Sequence, residues 1–139
     1  MVPEPGEIFL LPLGVGHHVD HSTAREAVLP LVQGLAFGFY EDQPYGSRAG
    51  AEQEAKDLAD ELARRTGGRI SPMICRSDVG AGPAKRELVG IYASQIDAQT
   101  ADAMARSAEK LPGERVWASA RLALLVEAGI LGWSSAFTG

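Results

Sequence analysis

The chain has 139 residues, of which 45% are apolar, so it can bury one hydrophobic core and does not need a second domain. Its formal net charge of −5, with 13 Lys and Arg residues scattered among 18 Asp and Glu, argues against a nucleic-acid surface, because phosphate binding needs clustered basic side chains. A single cysteine excludes an internal disulfide, an acidic N-terminus argues against a secretory signal, and no apolar run reaches the ~20 residues of a membrane helix, so we expect one cytoplasmic domain over residues 1–139.

The first predicted elements are a strand and a helix, separated by a glycine-rich loop. Residues 8–11 are apolar at every position, which is typical of a strand buried in a parallel sheet. In the helix that follows the loop, Thr23 and Glu26 have the spacing of a capping box, and Asp20 is an alternative N-cap. Pro30 predicts a kink or an end of that helix, because an interior proline removes a backbone hydrogen bond.

A second strand, a second helix and a third strand follow. Residues 35–40 are aromatic and apolar, and they lead into a turn that contains proline and glycine. Residues 50–66 repeat apolar positions with the period of a helix. Residues 69–75 suit a strand, which Pro72 pushes toward a sheet edge or a bulge.

The C-terminal part of the chain predicts two more helices. Pro83 can occupy a first helical position, after which Leu88 and other apolar residues recur along one face of a helix that continues through residues 92–95, with its aromatic residue packed inward. Residues 98–110 also have a helical pattern, whereas the alanine- and leucine-rich stretch from residue 116 gives no clear assignment. Strands that alternate with helices in this way predict an α/β fold with a parallel sheet.

Residues 14–21 form the one cluster of side chains able to do chemistry, because they place three histidines and an aspartate close together. Histidines spaced as His18 and His21 can take different roles at one divalent metal: one ring coordinates the ion, the other donates to developing negative charge, and a carboxylate orients a ring. The alternative is a glycine-rich loop whose histidines are simply solvated.

A second polar cluster, residues 40–45, directly follows the second predicted strand. Ligands of α/β proteins bind beyond the carboxyl ends of the strands, so the two polar clusters should share one end of the sheet. The second cluster then walls a substrate pocket, or else it is a strand end and turn in which Asp42 accepts backbone hydrogen bonds.

Five short motifs occur in an order and spacing that resembles the PIG-L or LmbE-like family of zinc-dependent N-acetylglucosaminyl deacetylases. The five together are specific, and the resemblance covers residues 8–117. The motifs are Pro12-Leu13-Gly14-Val15-Gly16, His18-Val19-Asp20-His21, Tyr40-Glu41-Asp42-Gln43-Pro44-Tyr45, Lys85 with Tyr92-Ala93-Ser94-Gln95, and Gly113-Glu114-Arg115-Val116-Trp117.

The resemblance implies zinc-dependent hydrolysis of an amide, in which an N-acetylated amino sugar loses its acetyl group as acetate and becomes a free amine. It implies that His21 is a zinc ligand, that His18 stabilises the oxyanion or protonates the leaving amine, and that Asp20 orients a histidine. A metal-bound imidazole is neutral and cannot also be the acid, which is why a second histidine is needed.

The resemblance also assigns the substrate pocket and one unusual histidine. Tyr40, Asp42 and Tyr45 are expected to wall the pocket. His17 stands where the family pattern has a glycine, and we expect it to be a solvated bystander.

One motif of the family is absent from this sequence. Family members carry Ala-His-Pro-Asp-Asp-Glu after the first strand of an N-terminal half, where it supplies the other zinc ligands and the general base. A catalytic zinc needs three protein ligands, so we expect the chain to be inactive by itself. It resembles the C-terminal portion of the family fold, a partial Rossmann-like parallel sheet without the N-terminal strands, followed by a divergent tail over residues 118–139.

Missing strands would leave an unpaired sheet edge, so we expect either self-association or a partner that supplies the missing half. Two functions stay open on this reasoning. One is a zinc amidohydrolase that is active only with such a half, and the other is a noncatalytic module that binds a sugar or a partner chain through the same polar clusters.

Overall fold

The computed structural model describes residues 6–76, 81–111, 113–131 and 133–135, which form an α/β fold with helices on both faces of one sheet. None of the described helices is both long enough and apolar enough to span a bilayer. In chain order the elements are β1 (Ile8–Pro12), α1 (Val19–Val32), β2 (Ala36–Tyr40), a 3-10 turn (Tyr45–Ser47), α2 (Ala51–Thr66), β3 (Ile70–Arg76), α3 (Ala81–Gly90), α4 (Ala98–Ala108), β4 (Gly113–Ser119), α5 (Ala120–Glu127) and β5 (Trp133–Ser135).

The sheet is mixed, which corrects the expectation of a parallel sheet. Its order is β1-β2-β4-β3-β5. Among the described strands only β1 and β2 run parallel, with Ile8 opposite Ala36 and Pro12 opposite Tyr40, whereas β4 is antiparallel to β2 and β3, and β5 is antiparallel to β3. The prediction was wrong because helices cover both faces, so a strand is apolar throughout whichever way its neighbour runs.

Two apolar layers on opposite faces of the sheet make up most of the core. On one face, Phe37 and Phe39 of β2 pack with residues of α1 and α2. On the other face, Ala36 packs with Met73 of β3 and with Leu122 of α5, a helix from the stretch that gave no clear assignment. Full burial of a side chain such as Phe39 or Leu122 contributes about 1.5–3 kcal/mol, so both layers are needed.

The N-terminal end of α1 differs from the one predicted. His18 is the N-cap, because its Nδ1 accepts a hydrogen bond from the backbone N–H of Asp20 at 3.3 Å, and neither Asp20 nor Thr23 takes that role. A neutral imidazole can cap a helix because one of its nitrogens is an acceptor. At its other end the helix passes Pro30 and ends at Val32, near the predicted end. The first turn of α1 therefore starts directly at the histidine cluster.

The helix α2 and the strand β3 lie within one residue of their predicted bounds. The strand β3 has a neighbour on each side, but β5 pairs only with the segment from Met73 to Cys75. Pro72 lies just before that segment, where no β5 partner needs its missing N–H.

The third predicted helix is shorter than expected. The helix α3 ends at Gly90, and residues 91–95 form turns, so Tyr92 is 59% exposed rather than packed inward. Leu88 is exposed as well, whereas Val89 packs against α4 in a small separate cluster. Adjacent residues point about 100° apart around a helix, so the one-residue shift from Leu88 to Val89 is enough to reverse the prediction of which face is buried.

Candidate functional site

The loops after β1 and β2 lie side by side at one end of the sheet. Parallel pairing brings the carboxyl ends of the two strands together, and the N–H of Leu13 continues the pairing by donating to the carbonyl of Tyr40 at 2.9 Å. We call the surface formed by residues 13–21 and 41–48 the rim. This is the place where the sequence predicts the two polar clusters to meet, and where α/β folds bind ligands.

Hydrogen bonds from the backbone hold the loop between β1 and α1. The N–H groups of Gly14 and Val15 donate to Oδ2 of Asp42 at 2.6 and 3.0 Å. The N–H of Gly16 donates to Oε1 of Glu54, in α2, at 2.8 Å. The loop is therefore tied both to the end of β2 and to a neighbouring helix.

Gly16 allows the ring of Tyr45 to lie against this loop. Its φ is +86°, and a Cβ at this position would stand 2.4 Å from Cγ of Tyr45. Neither the backbone angle nor the space suits another residue. His17 is the one described non-glycine residue with a positive φ, +56°, and its 76% exposed side chain lies with Nε2 3.4 Å from Oε1 of Glu54.

Asp42 is the buried centre of the rim. Its side chain is 0% exposed, and Oδ1 lies 2.7 Å from Nδ1 of His21. The two atoms form a close polar contact without the geometry of a hydrogen bond, and neither has a hydrogen-bond partner among the described residues. A buried carboxylate is costly unless it is hydrogen-bonded and paired, and both backbone N–H groups and a histidine serve Asp42. The side chain of Asp42 thus lies below the exposed surface of the rim, where it accepts backbone hydrogen bonds rather than walling a pocket.

The rings of His18, His21 and Tyr45 lie close together. The ring centroids of His18 and His21 are 5.1 Å apart, and the ring of Tyr45 lies 6.2 Å from that of His18 and 6.4 Å from that of His21. The side chains of the two histidines are 42% and 32% exposed. The structure therefore brings His18, His21 and Tyr45 together at a surface that a ligand can reach.

Polar neighbours favour different tautomers in these two histidines. In the neutral ring of His21, the carboxylate oxygen 2.7 Å from Nδ1 favours the proton on that nitrogen, which leaves Nε2 with a lone pair. Nδ1 of His18 accepts from a backbone N–H, so in the neutral ring the proton is on Nε2. Neighbouring rings thus offer a metal-binding lone pair and a hydrogen-bond donor.

Two of the predicted site residues lie outside the contact between His21 and Asp42. The side chain of Asp20 is 82% exposed and its Oδ2 lies 3.9 Å from Nδ1 of His18, whereas the carboxylate beside His21 is that of Asp42. Adjacent residues on a helix point about 100° apart, which is why Asp20 does not reach the ring of His21. Tyr40 ends β2 and is 41% exposed; its own burial, and then the charge of Asp42, raise its pKa.

A second polar group, missed by the sequence reasoning, surrounds Glu41. Its Oε1 accepts from Nε1 of Trp117 at 2.9 Å and from Nη1 of Arg115 at 3.3 Å, and Arg115 also reaches Glu52 at 3.3 Å. Burial raises the pKa of Glu41, and the charge of Arg115 opposes that change. The cleft beside them has a volume of about 390 Å³ and is lined in part by Glu41, Glu52, Lys110 and Arg115. The signal in the sequence was the presence of Glu41 in the third motif and of Arg115 and Trp117 in the last one.

The fit of this site to zinc is partial. Within residues 6–76, 81–111, 113–131 and 133–135, no group of three or more His, Cys, Asp or Glu side chains is placed to hold one metal ion. His21 has the features of one ligand, with its second nitrogen held by a carboxylate. A catalytic zinc needs three protein ligands, so the described residues do not complete such a site.

Comparisons of the chain with protein-family models, curated proteins and solved structures give no match. The chemistry of the rim itself is therefore what points to a function.

Proposed function

We propose that the rim is part of a zinc-dependent amide hydrolase of the PIG-L/LmbE type, with a partial Rossmann-like fold, that removes the acetyl group from an N-acetylated amino sugar. The observation that carries this proposal is the 2.7 Å contact between Nδ1 of His21 and the buried carboxylate of Asp42. Histidines that bind zinc almost always donate their other N–H to a carboxylate, a carbonyl or water. The five motifs of the sequence supply the reaction class.

In this proposal the residues of the chain supply and orient one zinc ligand, and they do not complete the metal site. His21 is a zinc ligand and Asp42 fixes its ring. His18, with its proton on Nε2, donates to the oxyanion or to the leaving amine. Tyr45 walls the pocket beside them. The remaining zinc ligands come from another polypeptide segment that packs against the rim.

A second candidate is a noncatalytic module that binds a sugar or a partner chain at the rim. The observation that favours it is the absence of a three-ligand group from the described residues. Tyr45, His18 and His21 together offer an aromatic surface with polar edges, which suits a ligand that is apolar on one face and hydroxylated on the other.

The proposal is tested by zinc binding to the purified chain, measured by equilibrium dialysis and elemental analysis. We expect weak binding at one site, because one histidine with its carboxylate partner is present. His21→Ala should abolish it. His17→Ala is the matched control and should leave it unchanged, because its ring is largely exposed and lies beside Glu54. Equal zinc contents in the wild type and His21→Ala would exclude His21 as a ligand and overturn the proposal.

A separate observation distinguishes the two candidates. The DNA upstream of the Met1 codon, read in all frames, should encode a His-Pro-Asp-Asp segment if a catalytic half accompanies this chain. Adding that segment should then produce acetate from an N-acetylglucosamine conjugate. Absence of any such segment would leave the noncatalytic module as the function of the rim.

A further inference from the structure

Arg25 is a buried cation to which the proposed chemistry assigns no role. It lies in α1 and is 8% exposed. Its Nη1 donates to the backbone carbonyl of Leu13, and its Nε and Nη2 both lie 3.2 Å from Oε1 of Glu26. Arginine is almost never buried unless it is paired, so these contacts need an explanation.

The contacts of Arg25 close a ring of interactions with Asp42 and His21. Arg25 holds the carbonyl of Leu13, and the next two N–H groups of the loop donate to Oδ2 of Asp42. Oδ1 of Asp42 then meets Nδ1 of His21. His21 and Arg25 are four residues apart and lie on one face of α1, so the same helix holds both ends of this path.

Charge neutralisation alone does not account for this arrangement. Glu26 already has a second cationic partner, because Arg65 of α2 donates to it at 3.0 and 2.5 Å and holds its pKa below the ordinary value. The loop is instead shaped around the guanidinium: at Gly14, where φ is +89°, a Cβ would stand 2.7 Å from Nη1 of Arg25.

We propose that Arg25 is a positioning residue for His21. It fixes the loop through the carbonyl of Leu13, so that the two following N–H groups aim Asp42 at the ring and set its tautomer and orientation. The importance of this positioning for metal binding rests on the proposed function. The positioning itself does not, because the His21 ring has its orientation without a metal.

The test is the tautomer of the His21 ring, read from long-range proton–nitrogen NMR spectra of the metal-free chain. In the wild type we expect one tautomer with the proton on Nδ1. Arg25→Met should give a mixture of tautomers, and Arg25→Lys should restore part of the wild-type signal, because a lysine can donate to one carbonyl but has no planar fork. Arg65→Met is the matched control: it also removes a partner of Glu26, and it should leave the spectrum unchanged.

Zinc binding gives a second readout. Loss of a group that orients a metal ligand typically weakens metal affinity 10- to 100-fold, so we expect at least a tenfold rise in the zinc dissociation constant of Arg25→Met, and no change in Arg65→Met. If His21→Ala keeps its zinc while the NMR results hold, the proposed function fails and the positioning role of Arg25 stands.

Loss of stability must be separated from loss of positioning. Leu29→Ala removes a buried side chain from the same helix and serves as the control for a loosened fold. The proposal is overturned if Arg25→Met keeps the wild-type tautomer, or if Leu29→Ala produces the same mixture. Should Arg25→Met fail to fold, the Arg25→Lys spectrum decides: a signal identical to the wild type would overturn the proposal, and a partial mixture would support it.

Discussion

Glu41 and Asp42 are neighbours in the chain, yet the fold treats their carboxylates in opposite ways. Asp42 is fully buried and is held by two backbone N–H groups and by His21. Glu41 is 15% exposed, faces a cleft, and is held by the side chains of Trp117 and Arg115. Backbone donors are fixed by the shape of their loop, whereas side-chain donors can move or turn to solvent. The rim is therefore the preorganised side of this strand end, and the cleft is the adaptable side.

Removal of the two carboxylates should give the largest difference between these regions. Asp42→Ala leaves two buried N–H groups without an acceptor and removes the carboxylate beside Nδ1 of His21, so we expect the free energy of unfolding to fall by about 3–5 kcal/mol. Glu41→Ala should cost roughly 1–2 kcal/mol, because Arg115 keeps its contact with Glu52. Urea denaturation measures both values. Equal losses at the two positions would contradict the distinction between a preorganised and an adaptable side.

A substitution in the loop of the rim should give an intermediate effect. Gly16→Ala combines a left-handed backbone with a collision against the ring of Tyr45, and we expect it to cost about 2–4 kcal/mol. Gly50→Ala is the matched control, because φ there is +82° but nothing lies within 4 Å of the added Cβ. It should cost about 1–2 kcal/mol, measured by the same denaturation. If both variants lose the same stability, close packing of Tyr45 on the loop contributes nothing to the rim.

The sequence predicted the location of the rim but not the partners within it. The runs that became β1 and β2 end in proline, glycine and polar residues, so the loops that follow them were recognisable. The contact of Asp42 with the N–H of Gly14 spans 28 positions, and that of Glu41 with Trp117 spans 76. Such pairs depend on which strands become neighbours, and local patterns carry no information about that choice.

One local prediction failed for a reason that is itself local. Asp20 and Thr23 were plausible N-caps, but His18 caps α1 with its own ring and so sets where the helix begins. Once the helix starts there, Asp20 points into solvent and His21 points at Asp42. The antiparallel pairing of β3 with β4 was hidden for a different reason, because the stretch from residue 116, which contains much of β4, gave no clear assignment.

The smallest expected effect is the pH dependence of the stability that Glu41 contributes. Burial raises the pKa of Glu41 above the ordinary value of 4.5 in the folded chain. The folded state then holds the proton more tightly than the unfolded state does, so the stability contributed by this group is complete below pH 4.5 and is lost as the pH rises through the folded pKa. Glu41→Gln does not ionise, so its free energy of unfolding, measured by urea denaturation, should rise relative to the wild type as the pH increases above 4.5.

Glu26→Gln is the control of opposite sign for this pH profile. The hydrogen bond from Arg65 lowers the pKa of Glu26, so its contribution is present above pH 4.5 and is lost as the pH falls through the folded pKa. Glu26 lies at the surface, so solvent screening makes the effect smaller, and its slope against pH should be reversed. A Glu41→Gln variant that follows the wild type at every pH would mean that Arg115 and Trp117 fully offset the burial of Glu41. The difference between the rim and the cleft would then lie in the flexibility of the hydrogen-bond donors alone.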